Sequence, residues 1–459
     1  MLNLMESVYP FPEMSGSEEE IRLTISELNN RNSKNDLPRL LSGMDSICPP
    51  LPGSKDFRAN GSRTYIDSKG IELATPEVKT PIDQLVYTEA GVRILSDSLT
   101  NFLLSESKRT KTEQYGILQR RVIDNKGNTW GVHDNFSVWD PDYFSSLNQE
   151  KTTLGQIWSG FLSSRGFITG AMRVEETPTF SQKLSVKHAY SSKNYSNSLL
   201  YADASNGPRL EIRCSDVNLQ EWAFVSRIGG AALVLAATQT QLIGELSKNY
   251  QTLMSQNISA WNTIPLDKDL GLKADTALLS AIDIQHFTMS TILDRLEDRM
   301  NLPIPKVYRR IGEEILKFCE DVEGVAFGNK ELSTLVGRAD WAGKLVVLRE
   351  HLHRNPSGRR IGDAKSKLLD LWYDQIFIDI QSDGSPSTTY GYGYDQASAS
   401  YSQPHALAIE HAIKNPPSNT RAAQRVKNAQ KLGDRVKDCD WQNLVYDDQG
   451  KSKEMYFDI

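Results

Sequence analysis

Two neighbouring stretches, Arg63-Thr64-Tyr65-Ile66-Asp67 and Ile71-Glu72-Leu73-Ala74, predict a pair of short strands. Farther along the chain, residues 117–122 and 129–139 alternate apolar and polar side chains around Asn125-Lys126-Gly127, which is typical of a hairpin. Strands that are joined by hairpins and separated by helical segments predict an α+β fold rather than a doubly wound parallel sheet.

Helical periodicity predicts most of the remaining elements. Ser17 and the three glutamates after it predict a helix start, because a small N-cap and acidic residues suit the positive end of a helix. Residues 29–54 are rich in Asn, Ser, Pro and Gly, and they predict a loop. Further helices are predicted at 80–104, 154–166, 222–254, 281–300, 307–320, 341–353, 364–374, 405–414 and 420–437. Strands are predicted at 183–190 and 210–214, and a terminal hairpin at 448–450.

Composition and charge exclude several classes of protein. The 459 residues include 52 basic and 58 acidic ones, for a formal net charge of −6, which does not favour nucleic acid as a partner. The four cysteines are not at metal-ligand spacing, and they predict reduced thiols. The longest apolar stretch, at 228–237, is shorter than the roughly 20 residues that cross a bilayer. Because the N-terminus also lacks a signal-peptide pattern, we expect a cytoplasmic protein without a membrane partner.

The segment 383–403 is the clearest candidate boundary. It is dense in Gly, Ser, Tyr and Thr and has no helical or strand periodicity, which predicts a flexible linker or loop. We therefore expect a catalytic domain at 1–382 and a small C-terminal domain at 404–459.

Acidic residues are concentrated around the first predicted strand pair. Tyr65 and Asp67 share one face of a strand, and Glu72 and Glu77 follow closely. Three such carboxylates can hold Mg²⁺ and leave one free as a base, because hard cations prefer oxygen ligands. From spacing alone, an ordinary solvated strand–turn–strand unit explains these residues better.

Three other polar stretches stand out, and each also has a purely structural explanation. His133 and Asn135 lie on a predicted strand after a hairpin, where a histidine is usually a hydrogen-bonded structural residue. Glu211 and Arg213 share a strand face and could reach a nucleotide phosphate, or form a cross-strand ion pair. The turn Asn415-Pro416-Pro417-Ser418-Asn419-Thr420-Arg421 caps a helix and projects Arg421 from its first turn.

Taken in order, these stretches resemble the Pup ligase and depupylase family, which are carboxylate–amine ligases related to glutamine synthetase. The family pattern N-G-A-R-L-Y-x-D is similar to residues 60–67, and H-P-E-Y-x-x-x-E is similar to 71–77. The further matches are G-x-S-Y-G-x-H-E-N-Y at 127–136, L-H-V-x-x-G-D-x-N at 210–218, D-W-x-x-K at 340–344, L-D-L-x-Y at 369–373 and P-P-x-x-T-R-A at 416–422. Each motif is short, and their common order carries the resemblance.

The resemblance implies a glutamine-synthetase-like, mostly antiparallel sheet and a defined chemistry. The ligase uses Mg-ATP to phosphorylate the C-terminal Glu γ-carboxylate of Pup, a small protein modifier. A lysine of a protein substrate then forms an isopeptide bond, which marks that substrate for proteasomal degradation. The depupylase reverses the bond or deamidates a C-terminal Gln.

The resemblance also implies roles for individual residues. Asp67 matches the catalytic aspartate that helps to deprotonate the lysine. Acidic residues that it implies as metal ligands are Glu72, Glu77 and Glu211. Residues that it implies on the cofactor side are Arg63, Tyr65, His133, Asn135, Arg213 and Arg421.

The chain also departs from the family pattern. The family opens with a strand that reads G-x-E-x-E, whose glutamates bind metal. Because a helix is predicted from Glu18, we expect this strand to be missing, either because it lies upstream of Met1 or because the ligands are lost. Glu211 replaces the histidine of L-H-V. The segment before Asn60 favours the ligase, and the alternatives are a depupylase or deamidase, or a degenerate member that binds a partner without catalysis.

Overall fold

The computed structural model describes most of the chain. The described residues are 10–25, 33–67, 70–120, 131–139, 143, 147, 152–174, 178–180, 188–190, 198–203, 209–240, 242, 244, 246, 261, 263–267, 269–354, 361–395 and 405–457. The predicted hairpin turn at 125–127 lies outside them. Within the described residues, no helix is both long and apolar enough to cross a membrane.

Helices and strands alternate along the described chain. The strands are β1 (Ser15–Ile25), β2 (Arg63–Asp67), β3 (Gly70–Ala74), β4 (Gln114–Gln119), β5 (Val132–Ser137), β6 (His188–Tyr190), β7 (Ser198–Asp203), β8 (Arg209–Ser215), β9 (Gln375–Ile380), β10 (Pro386–Tyr390), β11 (Val436–Cys439), β12 (Asn443–Asp448) and β13 (Lys451–Tyr456). The helices are α1 (Ser33–Gly43), α2 (Pro81–Thr110), α3 (Thr153–Ser164), α4 (Gly166–Thr169), α5 (Glu221–Gln239), α6 (Thr276–Met300), α7 (Lys306–Ala326), α8 (Asp340–His353), α9 (Ala364–Tyr373), α10 (Tyr392–Asp395), α11 (His405–Lys414) and α12 (Arg421–Leu432).

The described residues form two compact units, whose segments alternate along the chain. Unit 1 comprises those within Met1–Glu13, Val122–Tyr373 and Tyr392–Ser400, and unit 2 comprises those within Met14–Arg121, Asp374–Gly391 and Tyr401–Ile459. In unit 2, β10 pairs with β9, β9 with β4, β4 with β1, β1 with β3 and β3 with β2, and each of these pairings is antiparallel. In unit 1 the order is β5-β8-β7-β6, in which β6 and β7 are parallel. The predicted α+β class with a mostly antiparallel sheet is confirmed.

The sequence prediction of a helix from Ser17 is wrong, because residues 15–25 form β1. Side chains of β1 alternate between buried and partly exposed over its first seven residues, as a strand requires. β1 has strand partners along its length, since Glu18–Ile21 pair with β3 and Arg22–Ile25 pair with β4. These pairings satisfy the backbone hydrogen bonds and override the local helix signal of consecutive glutamates.

A helix replaces the predicted loop within residues 29–54. Helix α1 occupies residues 33–43 in spite of Pro38, and it packs against α2. Leu40 is fully buried there, and Ser98 of α2 donates its hydroxyl to the Leu40 carbonyl at 2.7 Å. This tertiary contact, rather than local propensity, accounts for the helix.

Helix α2 supports the sheet of unit 2 and is close to its predicted position. It begins after Thr80, whose side-chain oxygen accepts a hydrogen bond from the Asp83 amide at 3.1 Å. It ends at Lys111 in the left-handed conformation, with φ 60°. Helix α5 of unit 1 is buried almost all round, which explains its largely apolar sequence.

The C-terminal residues of unit 2 form a small sheet, β11-β12-β13, which packs against α12. Its apolar core contains Val426, Val436 and Leu444, and it also includes Leu51 and Phe57 from the N-terminal part of the chain. Within the segment 383–403, β10 and α10 are formed, and residues 396–403 lie outside the described residues. The division into domains at 1–382 and 404–459 stays a prediction.

Candidate functional site

Three carboxylates of unit 2 form a cluster on one face of the sheet. Single oxygens of Glu20, Asp67 and Glu72 can be chosen that all lie within 4.8 Å of one another. Glu20 of β1 is paired directly with Glu72 of β3, and Tyr65 of β2 is paired with Glu72 from the other side. Like charges directly opposite each other in a sheet are destabilising. A bound cation would remove this repulsion, so the geometry fits a divalent metal with oxygen ligands.

The strand that we expected to be missing is present in β1. Residues Gly16-Ser17-Glu18-Glu19-Glu20 read G-x-E-x-E, so both predicted explanations for its absence are wrong. In β1, Glu18 and Glu20 share the face of the cluster, whereas Glu19 is buried on the opposite face. The three adjacent glutamates resembled a helix start, and this hid the motif in the sequence.

Tyr65 and Arg63, two of the predicted cofactor residues, lie next to the cluster. Its hydroxyl donates a hydrogen bond to Glu72 Oε1 at 2.5 Å. Burial and the acceptor carboxylate of Glu72 raise the pKa of the Tyr65 hydroxyl well above its ordinary value, so it stays a donor. The Arg63 guanidinium lies 4.5 Å from the centre of the Tyr65 ring, and its Nη2 lies 3.3 Å from Asp56 Oδ2. Arg63 thus contacts the ring of Tyr65, and Glu72 accepts a hydrogen bond from its hydroxyl.

Glu77 lies apart from the carboxylate cluster and is held by two arginines of α12. Arg425 binds it through Nη1 to Oε1 at 3.0 Å and Nη2 to Oε2 at 2.8 Å, while Arg421 donates Nε to Oε1 at 3.0 Å. Burial raises the pKa of the Glu77 carboxyl, but the guanidinium groups of Arg425 and Arg421 outweigh it and lower the pKa. Both oxygens are therefore neutralised, which does not support the predicted metal role of Glu77.

Arg425 was missed by sequence reasoning. Its side chain is fully buried, stacks on Phe57 and Trp441, and also donates to the Trp441 and Gly61 carbonyls at 2.8 and 3.3 Å. The available signal was its position four residues after Arg421, which places both side chains on one face of a helix.

Unit 1 contains the other predicted site residues, on β5 and β8. Glu211 is buried, and its carboxylate lies 3.0 Å from Arg213 Nε, 3.3 Å from Arg209 Nη2 and 3.5 Å from His133 Nδ1. Asn135 of β5 is paired with Glu211 of β8. The side-chain oxygen of Asn135 is buried and has no hydrogen-bond partner among the described residues. An unpartnered buried acceptor of this kind calls for a water molecule or a ligand group.

Other motif residues of unit 1 form a buried polar network. Arg227 joins β5 to the segment after β8, because its Nε lies 3.1 Å from Asp134 Oδ2 and its Nη1 donates to Asn218 Oδ1 at 2.7 Å. Asn218 in turn donates to Asp340 Oδ2 at 3.1 Å. Burial raises the pKa of Asp340 to about 6, against the lowering effect of its hydrogen bonds.

A second buried polar group joins α8 to α9. Lys344 donates to Asp370 Oδ1 at 2.8 Å and to the Met172 carbonyl at 2.9 Å. The D-W-x-x-K and L-D-L-x-Y motifs therefore supply structural ion pairs and hydrogen bonds within unit 1.

Comparisons with known proteins agree with these motifs. The family model described as Pup-ligase protein matches residues 17–445. The Pup–protein ligase of Acidimicrobium ferrooxidans is 26% identical over 437 residues, which cover 88% of this chain and 86% of that protein. The Pup deamidase/depupylase of Mycobacterium tuberculosis is 23% identical over 416 residues, which cover 86% of this chain and 75% of that protein.

Solved structures show the same fold. The complex between prokaryotic ubiquitin-like protein Pup and its ligase PafA superposes with a TM-score of 0.69 at 20% identity, covering 97% of this chain and 89% of that one. The ligase PafA in complex with ADP superposes with a TM-score of 0.61 at 18% identity, covering 93% of this chain and 90% of that one. The resemblance predicted from the ordered motifs is confirmed, and the chain belongs to the Pup-ligase protein family.

Proposed function

We propose that this chain is an ATP-dependent ligase that joins the C-terminal Glu of a Pup-like modifier to lysines of protein substrates. The observation that carries the proposal is the cluster of Glu20, Asp67 and Glu72 on the sheet of unit 2. Membership in the Pup-ligase family supports it, and so does the ADP complex of a structurally similar ligase. We further propose that the reaction occurs in the cytoplasm and directs its substrates to proteasomal degradation.

The cluster suits Mg²⁺, which would be held by Glu20 and Glu72. Glu72 is buried and Glu20 is partly exposed, so a cation between them would be shielded on one side and open on the other. Bound there, Mg²⁺ would neutralise charge on nucleotide phosphates. Tyr65 orients Glu72 by its hydrogen bond, and Glu18 faces the same side of β1 as Glu20.

Asp67 is the proposed general base. It is the exposed member of the cluster and lies at the end of β2, where the lysine of a protein substrate can approach it. A carboxylate in this place can accept the proton that the lysine loses as it attacks an activated carboxyl group.

Arg421 is proposed to face the nucleotide. Its Nε is bound to Glu77, and its two terminal nitrogens make no hydrogen bond to any described residue. Glu77 therefore fixes the guanidinium while leaving its terminal donors available to phosphate oxygens. The roles implied for Arg63, Tyr65, His133, Asn135, Arg213 and Glu211 also stay proposals, and the unpartnered Asn135 oxygen supports ligand binding on β5.

The extent of similarity favours the ligase over the depupylase. The chain spans 86% of the Acidimicrobium ligase but 75% of the Mycobacterium depupylase, so more of the depupylase has no counterpart here. The alternative of a degenerate, non-catalytic member rested on the absence of the G-x-E-x-E strand, and β1 removes that ground.

The test is a conjugation assay with the full chain, Mg-ATP, a Pup-like protein that ends in Glu, and a lysine-bearing protein. We expect Asp67→Asn to abolish isopeptide formation, detected by mass spectrometry, and to leave the circular dichroism spectrum unchanged. Asp298→Asn, a change of another exposed aspartate on α6, should conjugate like the wild type. Conjugation by Asp67→Asn at the wild-type rate would contradict the proposal, and release of Pup from a preformed conjugate without ligation would favour the depupylase.

A further inference from the structure

The half of β1 that carries the cluster residues lacks apolar side chains on its buried face. Over residues 15–20 the buried side chains are Ser15, Ser17 and Glu19, and the apolar ones, Ile21 and Ile25, begin only in the second half. Hydrophobic burial therefore holds the second half of β1 but contributes little to the first half. The first half must be anchored by polar contacts.

The main polar contact is a buried ion pair between Glu19 and Arg120. Arg120 Nε donates to Glu19 Oε1 at 2.6 Å, and Nη2 donates to Oε2 at 3.0 Å. The two side chains are only 1% and 4% exposed. Arg120 Nη1 also donates to Glu89 of α2 at 2.9 Å. A planar guanidinium that binds a carboxylate through two parallel bonds fixes distance as well as orientation.

A second contact is made through Gln84 of α2. Ser15 donates its hydroxyl to Gln84 Oε1 at 2.7 Å, and Gln84 Nε2 donates to the Ser17 hydroxyl. The Ser17 amide donates to the Thr75 hydroxyl at 2.9 Å. These contacts are uncharged and lie at residues 15 and 17, whereas the ion pair of Glu19 is formed directly next to Glu20.

We propose that Arg120 is a positioning residue for the carboxylate cluster: through Glu19 it fixes the first half of β1 and so holds Glu20 opposite Glu72. Glu19, which forms the ion pair, and Glu20, which belongs to the cluster, are adjacent in β1, so their side chains lie on opposite faces of the strand. The part of the proposal that concerns metal binding rests on the proposed function, while the anchoring of β1 does not.

Removing Arg120 alone leaves the Glu19 carboxylate buried without its bidentate partner. A buried unpaired charge is strongly unfavourable, so the strand segment relieves it by opening and carrying Glu19 to water. Replacing both partners by apolar residues removes the charge and supplies the apolar contact that this half of β1 lacks. The double variant Arg120→Met/Glu19→Leu should therefore behave like the wild type.

Hydrogen exchange of the full chain, followed by mass spectrometry, tests the anchoring directly. We expect Arg120→Met to lower the protection of amides 15–20 by about tenfold or more, relative to amides 21–25, and the double variant to restore it. In parallel, Mn²⁺ titration should show weaker binding by Arg120→Met, with a roughly tenfold higher dissociation constant. The double variant should bind Mn²⁺ like the wild type. Asp321→Asn, which weakens the partly buried Asp321–Arg338 pair of unit 1, is the control and should change neither measurement.

Unchanged protection at 15–20 in Arg120→Met would overturn the proposal, and so would an equal loss of protection throughout the chain. If Arg120→Met does not fold, Arg120→Lys is tested instead, because lysine keeps the charge but cannot form the bidentate hydrogen bond. It is expected to show a smaller loss of amide protection, confined to residues 15–20. If wild-type protein binds no Mn²⁺, the proposed metal site fails, while the exchange data still decide whether Arg120 anchors β1.

Discussion

Single residues in this protein take their roles from the face of the strand that they occupy. Glu18, Glu19 and Glu20 are identical in chemistry and adjacent in sequence, yet Glu19 pairs with Arg120 and Glu20 joins the carboxylate cluster. The same holds for Glu72 and Glu77, which are five residues apart. Glu72 accepts a hydrogen bond from Tyr65, and Glu77 is neutralised by two arginines.

The hydroxyl of Tyr65 is expected to tune metal binding. Tyr65→Phe removes the hydrogen bond that orients Glu72, and loss of such a supporting contact typically weakens metal affinity about ten- to a hundredfold. Mn²⁺ titration measures the effect. Tyr115→Phe, which removes a hydroxyl on β4, is the matched control, and equal affinities for wild type and Tyr65→Phe would show that Glu72 does not need this donor.

Glu77 is expected to make stability depend on acid pH. Its pKa is lower in the folded state than in the unfolded chain, because Arg425 and Arg421 outweigh the effect of burial. A depressed pKa contributes stability that is present above the unfolded value and is lost as pH falls through the folded value. At pH 7 we expect Glu77→Gln to unfold more easily than the wild type by about 3 kcal/mol.

The difference between wild type and Glu77→Gln should shrink as the pH falls below about 4 to 5. Urea denaturation at pH 7, 5, 4 and 3 measures it. Other carboxyl groups with lowered pKa values, such as Glu106 and Asp321, titrate in both proteins and cancel in the difference. A difference that is constant over this range would mean that the charge of Glu77 contributes nothing.

At the scale of elements, pairing decides what local sequence leaves ambiguous. The run of glutamates in β1 favours a helix start, but β3 pairs with residues 18–21 and β4 with residues 22–25 of this segment. The register between β1 and β3 then places Glu20 opposite Glu72. Helix α1 likewise forms against α2 in a stretch whose composition predicts a loop.

Glycine at position 61 allows the turn before β2 to approach α12 closely. Gly61 has a φ of +83°, and an added Cβ would lie 3.0 Å from the Ala422 Cβ. We expect Gly61→Ala to destabilise the protein by roughly 2 kcal/mol or more, through backbone strain and displacement of α12. Gly328→Ala is the matched control, because Gly328 has a φ of +73° and open space around its Cβ position.

Denaturation of both glycine variants separates the two effects. The loss in Gly328→Ala measures backbone strain alone, and the additional loss in Gly61→Ala measures the contact with α12. Because α12 carries Arg421 and Arg425, Gly61→Ala should also weaken their hold on Glu77. Equal losses in the two variants would show that α12 adapts without cost.

At the scale of the whole molecule, motifs that are scattered along the chain gather in two units with different polar groups. Unit 2 contains the carboxylate cluster and the arginines of α12, and unit 1 contains the group around Glu211. Unit 1 also holds the buried network of Asp340 and Lys344, so part of the family pattern is explained by folding rather than by chemistry.

Ligand binding should stabilise the whole protein. If Mg-ATP binds the folded chain alone, a concentration of 100 times its dissociation constant adds about 2.7 kcal/mol of stability. Thermal unfolding with and without Mg-ATP measures this increase, which should be lost when EDTA removes the metal. The variant Glu72→Gln, which lacks one cluster charge, should show a smaller increase, and an increase equal to that of the wild type would place the metal elsewhere.

The sequence by itself determined the α+β class, the strand pair at residues 63–74, most of the helices and, through the order of its motifs, the family. These features depend on local periodicity, on turn residues and on short patterns, all of which can be read along the chain. Only the tertiary structure decided that residues 15–25 are a strand, that Glu20 completes the cluster, and that Glu77 binds Arg425 instead of joining it. The physical reason is that strand partners and charge partners come from distant parts of the sequence, and a carboxylate's role is set by which cation or carboxylate lies opposite it.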